Sequence, residues 1–95
     1  MGGIRKMGIT IICSMRVTDF EEWKVGFDSH ASGREKAGIS VTAYQNINDP
    51  HNAIGIIKAP SKEAWTQFFS RSQIQENMRS SGVIGEPDIK LLQEA

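Results

Sequence analysis

Residues 9–27 read ITIICSMRVTDFEEWKVGF, and within them the spacing of apolar residues changes from two to between three and four. Ile9, Ile11, Cys13, Met15 and Val17 occupy every second position, with Thr10, Ser14 and Arg16 between them. An extended chain turns successive side chains to opposite faces, so this half predicts a half-buried strand. Residues 18–21 form a T-x-x-E pattern, in which Thr18 and Glu21 cap each other's backbone N–H groups and open a helix. Phe20, Trp23, Phe27 and Ala31 follow in steps of three and four, which gathers them on one helical face. Gly38 supplies the stop.

Downstream the same alternation of elements returns. Ile39, Val41 and Ala43 alternate with Ser40, Thr42 and Tyr44, predicting a second strand. The turn formers Asn48-Asp49-Pro50-His51-Asn52 bring the chain back into a third strand over residues 53–59. Pro60 ends it, and Ser61 caps a second helix with Ala64, Trp65, Phe68 and Phe69 on one side. A second capping pattern at residues 72–75 predicts that this helix breaks near Ser70 and restarts, turning Ile74 and Met78 inward until Gly82. Gly85-Glu86-Pro87 reads as a loop and residues 89–92 as a short last strand. Strand-helix-strand-strand-helix-strand predicts an α+β, ferredoxin-like βαββαβ sandwich with four antiparallel strands and its helices on one face. Residues 9–95 form that single domain; residues 1–8 are expected to be a flexible tail, with Met7 an alternative start.

Helices on one face leave the other to be explained. The second phase of the strands offers Ile12, Thr42, Tyr44 and one set of Ile54/Ile56 or Ile57, too apolar for water and too polar for a sealed core. A second copy of the chain is the expected cover, giving a homodimer through the open sheet face. A chain of 95 residues buries only roughly 60–65% of its unfolded surface, so such cover would also add stability.

Charge narrows the partners. Eleven basic and eleven acidic residues cancel, which removes the footprint of a protein held by bulk charge on nucleic acid or membrane. RNA-recognition domains share this element order, but they stack bases on aromatic residues of the central strands, and the first and third strands here carry none. Arg5 and Lys6 before the apolar run 9–13 superficially resemble a signal peptide, yet Thr10 and Ser14 interrupt that run and Arg16 closes it. No apolar stretch approaches the roughly 18–20 residues of a membrane span. One cysteine allows no internal disulfide. A cytoplasmic protein is expected.

Candidate chemistry lies on the first helix. At about 100° per residue, Arg34 falls within the arc of Trp23, Phe27 and Ala31, and His30 falls at its edge. An inward guanidinium needs an anionic or hydrogen-bonding partner, because burying it unpaired is costly. In one interpretation Arg34 holds an oxyanion or carboxylate in a pocket between helix and sheet, with His30 as proton donor or acceptor. In the other, Arg34 snorkels outward to the last helical carbonyls and His30 merely marks a boundary. Tyr44 can point a hydroxyl into a pocket or sit at an interface. Trp23, Phe27, Trp65, Phe68 and Phe69 can line an aromatic cavity, although at helical spacing such residues more commonly pack a core. His51 belongs to a turn. Two separated histidines and one cysteine have no metal-ligand spacing, and there is neither a phosphate loop nor a nucleophile elbow.

The order of elements, with Phe20-x2-Trp23-x3-Phe27-x2-His30-x3-Arg34-x3-Gly38, Asn48-Asp49-Pro50, Pro60-Ser61, Gly82-Val83 and Pro87, resembles the dimeric α+β barrel superfamily over residues 9–92. Within it the chain is similar to small antibiotic-biosynthesis-monooxygenase-like proteins. The resemblance implies ferredoxin-like subunits whose sheets pair into a barrel. Its members include monooxygenases that oxidise activated aromatic substrates without a cofactor, polyketide cyclases, haem-degrading enzymes and ligand-binding regulatory domains. The haem-degrading branch carries Asn, Trp and His; Trp65 suits its tryptophan, but Gln75 and Asn77 stand where its histidine is expected. No cofactor is therefore expected. The leading expectation is a homodimer binding a small anionic or aromatic metabolite beside Arg34 and His30. A cofactor-independent monooxygenase-like or cyclase-like enzyme and a non-catalytic dimeric regulatory module are the alternatives.

Overall fold

The computed structural model describes residues 8–95; the expected N-terminal tail lies almost wholly outside them. β1 (Ile9–Val17) runs through the middle of a four-stranded antiparallel sheet. β2 (Ser40–Asn46), β3 (Asp49–Ala59) and β4 (Val83–Leu92) complete it in the order β2-β3-β1-β4. Across the sheet Cys13 stands opposite Gly55 and Ile89, and Ile11 opposite Ile57 and Leu91. The helices cover one face: Ile11, Cys13, Met15, Val17, Ala53 and Ile57 are buried with Trp23, Trp65 and Phe68 from the helices. The predicted ferredoxin-like architecture, with helices on a single face, is the one formed.

Four departures from the predicted elements have local causes. The first helix starts one residue late, because Thr18 donates its backbone N–H to Gly82 O and Asp19 becomes the cap, accepting from the Glu22 N–H at 2.9 Å. It also breaks: α1 (Phe20–Ser29) ends at His30, whose φ of −104° and ψ of 13° leave the helix, and α2 (Ala31–Lys36) begins anew. The Ser29 hydroxyl donates back to Gly26 O at 2.7 Å within the last turn before that break. β3 starts at Asp49 rather than at residue 53, since Ile47 and Asn48 alone form the turn after β2. β4 starts at Val83 rather than at residue 89 and absorbs Gly85, Glu86 and Pro87, with a register shift between Ser14 and Arg16. A proline costs a ladder hydrogen bond only where a neighbour exists, and β4 is an edge strand.

The second helix divides where predicted, into α3 (Lys62–Phe69) and α4 (Ser72–Ser80). Ser61 caps α3 by accepting from the Ala64 N–H at 3.0 Å. The capping pattern at α4 does not close, however; the Gln75 amide donates instead to Phe69 O at 2.7 Å and ties the two pieces together.

On the open face Ile12 stands opposite Ile56, itself opposite Thr42, and Ser14 opposite Ile54, itself opposite Tyr44. Ile54 and Ile56, not Ile57, therefore share this face. Tyr44 is 53% exposed, and Ile84 and Leu92 are also exposed.

Candidate functional site

Between the sheet and the helices lies a cavity of about 430 Å³, toward the lower end of the roughly 300–1,000 Å³ typical of small-molecule sites. Its floor is β1 and β3, with Cys13, Met15, Gly55 and Ile57. Strand alternation puts all four on one face, and Gly55 keeps the floor low: a Cβ there would sit 3.2 Å from Val41 Cγ1. Any larger side chain would crowd Val41 or enter the space.

Two aromatic stacks make the walls. Trp23 lies on Phe27 with ring centres 5.0 Å apart and planes at 26°, and Trp65 lies on Phe69 at 4.9 Å and 21°. Both are four-residue helical steps, the spacing that brings side chains together on one face. Each wall is capped by a guanidinium. Arg34 Cζ is 3.9 Å from the centre of the Phe27 ring, and Arg71 Cζ is 5.4 Å from that of Phe68, both within the ~6 Å of a cation–π contact.

Arg34 is half-buried at the mouth. The last carbonyls of α2 are already taken: Ile39 donates to Arg34 O at 2.9 Å and Gly38 donates to Glu35 O at 3.0 Å. This paired closure, with Gly38 at a φ of +76°, removes the reason for Arg34 to snorkel to the helix end. Burial lowers its pKa from the usual arginine value, and Asp28 works in the opposite direction. Both Asp28 oxygens are held by Lys24 Nζ, at 3.0 and 2.9 Å. Among the four described arginines, Arg16 and Arg79 form ion pairs with Asp49 and Glu76. Arg34 and Arg71 form none, and they are the two that line the cavity.

His30 stands at the break between α1 and α2, exposed and on the cavity rim. The helix break is what puts it there. Trp23, Phe27, His30, Arg34, Trp65 and Phe68 thus border one space. Tyr44 does not: strand alternation carries it to the opposite face of the sheet. Sequence reasoning missed Arg71, Gln73 and Asn77 on the rim; the step of three from Phe68 to Arg71 was the available signal. His51 belongs to β3 and does not line the cavity, its Nδ1 3.2 Å from Val17 O.

Cys13 is the one thiol on the floor. Desolvation, reinforced by Asp88, pushes its pKa up to about 11, so it sits there as a neutral, weakly polar surface and not as a thiolate nucleophile. Among the described residues no group of three His, Cys, Asp or Glu side chains is placed to hold a metal ion. No helix among them is long and apolar enough to cross a membrane.

No protein-family model and no curated protein matches the sequence. Solved structures do match in shape. A protein carrying the name antibiotic biosynthesis monooxygenase, from Bordetella bronchiseptica, superposes with a TM-score of 0.78 at 17% identity, over 93% of this chain and 97% of that one. The fold shared with it is the ferredoxin-like α+β sandwich described above. A conserved protein from Methanosarcina mazei gives 0.76 at 14% identity over 95% of both chains. SnoaB, a cofactor-independent oxygenase from Streptomyces nogalater, gives 0.75 at 11% identity over 93% of both. At these identities the likeness is one of fold.

Proposed function

We propose that the protein binds a small, ring-containing acid in the cavity beneath its helices, with Arg34 taking the anionic group and His30 exchanging a proton beside it. The observation that carries this is a half-buried guanidinium laid on the Phe27 ring at the mouth of an apolar cavity, with no carboxylate of its own. An anion there gains a charge-assisted hydrogen bond at a site already partly desolvated. The stacked aromatic walls favour a flat, apolar body for the rest of the ligand. A module whose space is filled by its own side chains would instead have Arg34 paired internally.

Ligand-induced thermal stabilisation tests it. Aromatic carboxylates should raise the melting temperature of the wild type, and Arg34→Ala should abolish the rise. Equal stabilisation of both proteins would reject the site.

An enzymatic version has one specific support, the likeness of fold to a cofactor-independent oxygenase. In it His30 removes a proton from an acidic position of the bound ring and Arg34 stabilises the resulting anion. Multiple-turnover consumption of an activated phenol, lost in His30→Gln, would distinguish it from simple binding.

The same proposal includes a cytoplasmic homodimer. Ile12, Ile54 and Ile56 form an apolar strip on the open face, with Tyr44 exposed beside it, and a second copy of the chain would cover that strip. Light scattering should give twice the 10.5 kDa of the chain, and Ile56→Lys should give the single mass.

A further inference from the structure

Arg71 repeats, on the second wall, the arrangement that Arg34 has on the first. It follows Phe68 by three residues, its guanidinium lies over that ring, and it borders the same cavity. Its side chain does no capping work, since Arg71 stands at the N-cap position just before α4 without a side-chain cap hydrogen bond. The one acidic residue of α4, Glu76, is bound to Arg79 at 2.8 Å and not to Arg71. Gln73 and Asn77 stand on the rim close by, linked by their own 2.9 Å hydrogen bond, and add neutral polar groups without cancelling the charge.

A chain of zero net charge has therefore left two unpaired cations facing one apolar space, from opposite helical segments. A monoacid would satisfy one of them. We infer that the ligand is a ring-containing acid with two acidic groups, one held by Arg34 and the other by Arg71, with its ring between the two aromatic walls. This rests on the binding role proposed above for Arg34, and it adds a second recognition point and a ligand class. Arg71 selects for the second acidic group and touches no reacting atom.

The test compares phenylacetate with the 1,2-, 1,3- and 1,4-phenylenediacetates. Their flexible arms cover a range of spacings, and binding is read from the fluorescence of Trp23 and Trp65 in the cavity walls. At least one diacid should bind the wild type about tenfold more tightly than the monoacid. Arg71→Gln should bring that ratio close to one, and Arg71→Lys should restore part of it. Arg34→Gln should weaken monoacid and diacids alike. The Arg71 side chain is exposed, so unfolding curves of its variants should overlay the wild type. Monoacid binding that needs Arg34, with no gain for any diacid or an unchanged ratio in Arg71→Gln, overturns the second recognition point alone. No binding by any of the four compounds overturns both it and the proposed binding role.

Discussion

In the first helical segment Trp23 stacks on Phe27 and Arg34 covers that ring; in the second, Trp65 stacks on Phe69 and Arg71 covers Phe68. Both segments break once, at His30 and at Ser70–Arg71. Beyond the break the two segments differ. Neither α2 nor α4 holds a fully buried residue, but α4 packs the half-buried Ile74 and Met78 against the core, whereas α2 has only the half-buried Arg34 and its helix-end neighbour Ala37. The second segment is therefore held down by apolar packing along its length. The first is held by α1, by the Gly38 closure and by a cation on a ring. The wall with less structural work to do carries the unpaired charge at the more sheltered position.

The sharpest way to break this comparison is to remove the tryptophans. Trp23 and Trp65 are 4% and 5% exposed, so Trp23→Ala and Trp65→Ala should each cost about 3–5 kcal/mol in urea unfolding. A cost under about 1 kcal/mol for either would mean that its segment is not part of the common core.

The floor beneath both walls gives the next effect. Folding raises the Cys13 pKa from its ordinary value near 9 to about 11, so the folded state holds the proton more tightly than the unfolded chain. The associated stability is fully present below pH 9 and is lost as pH rises from about 9 through 11, by on the order of 2–3 kcal/mol. Cys13→Ala should flatten that slope, measured as unfolding free energy between pH 8 and pH 11. An unchanged slope would place the thiol in contact with water.

The smallest effect sharpens the likeness of the two segments at their starts. Asp19→Ala and Ser61→Ala should each cost about 1 kcal/mol, as the loss of one helix cap does. Thr18→Ala should cost clearly less, since Thr18 enters the fold through its backbone bond to Gly82. A larger loss at Thr18 than at Asp19 would restore the capping box that the sequence suggests.

These cases show what was legible from residues alone. Period-two spacing placed β1 and sorted Ile11 from Ile12, and the helical step of four placed both tryptophan walls. The break before α4 was announced by Ser72 and Gln75, although Gln75 makes a different bond from the one expected. The break at His30 had no such announcement: neither proline, glycine nor a capping side chain marks it. The early part of β4 was hidden because proline and glycine usually end strands, and only the tertiary fact that β4 lies at an edge makes Pro87 acceptable there. Tyr44 could have been excluded from the cavity by its own strand period, which assigns it to the face of Ile54. Helical phase put Arg34 within the apolar arc but left it open whether its guanidinium turns inward or snorkels out; the Phe27 ring, which gives that guanidinium a place to lie, was not legible as its partner.

The central claim is that Arg34 is the group that meets the ligand's negative charge. The side-chain Nε–H resonances of the arginines report this directly in a ¹H–¹⁵N spectrum during titration with phenylacetate. The Arg34 signal should move saturably with added acid, while that of Arg16, engaged by Asp49 at 2.7 Å, stays in place. An Arg34 signal that remains still while the tryptophan indole signals of the cavity respond would contradict the assignment of the anion to this guanidinium.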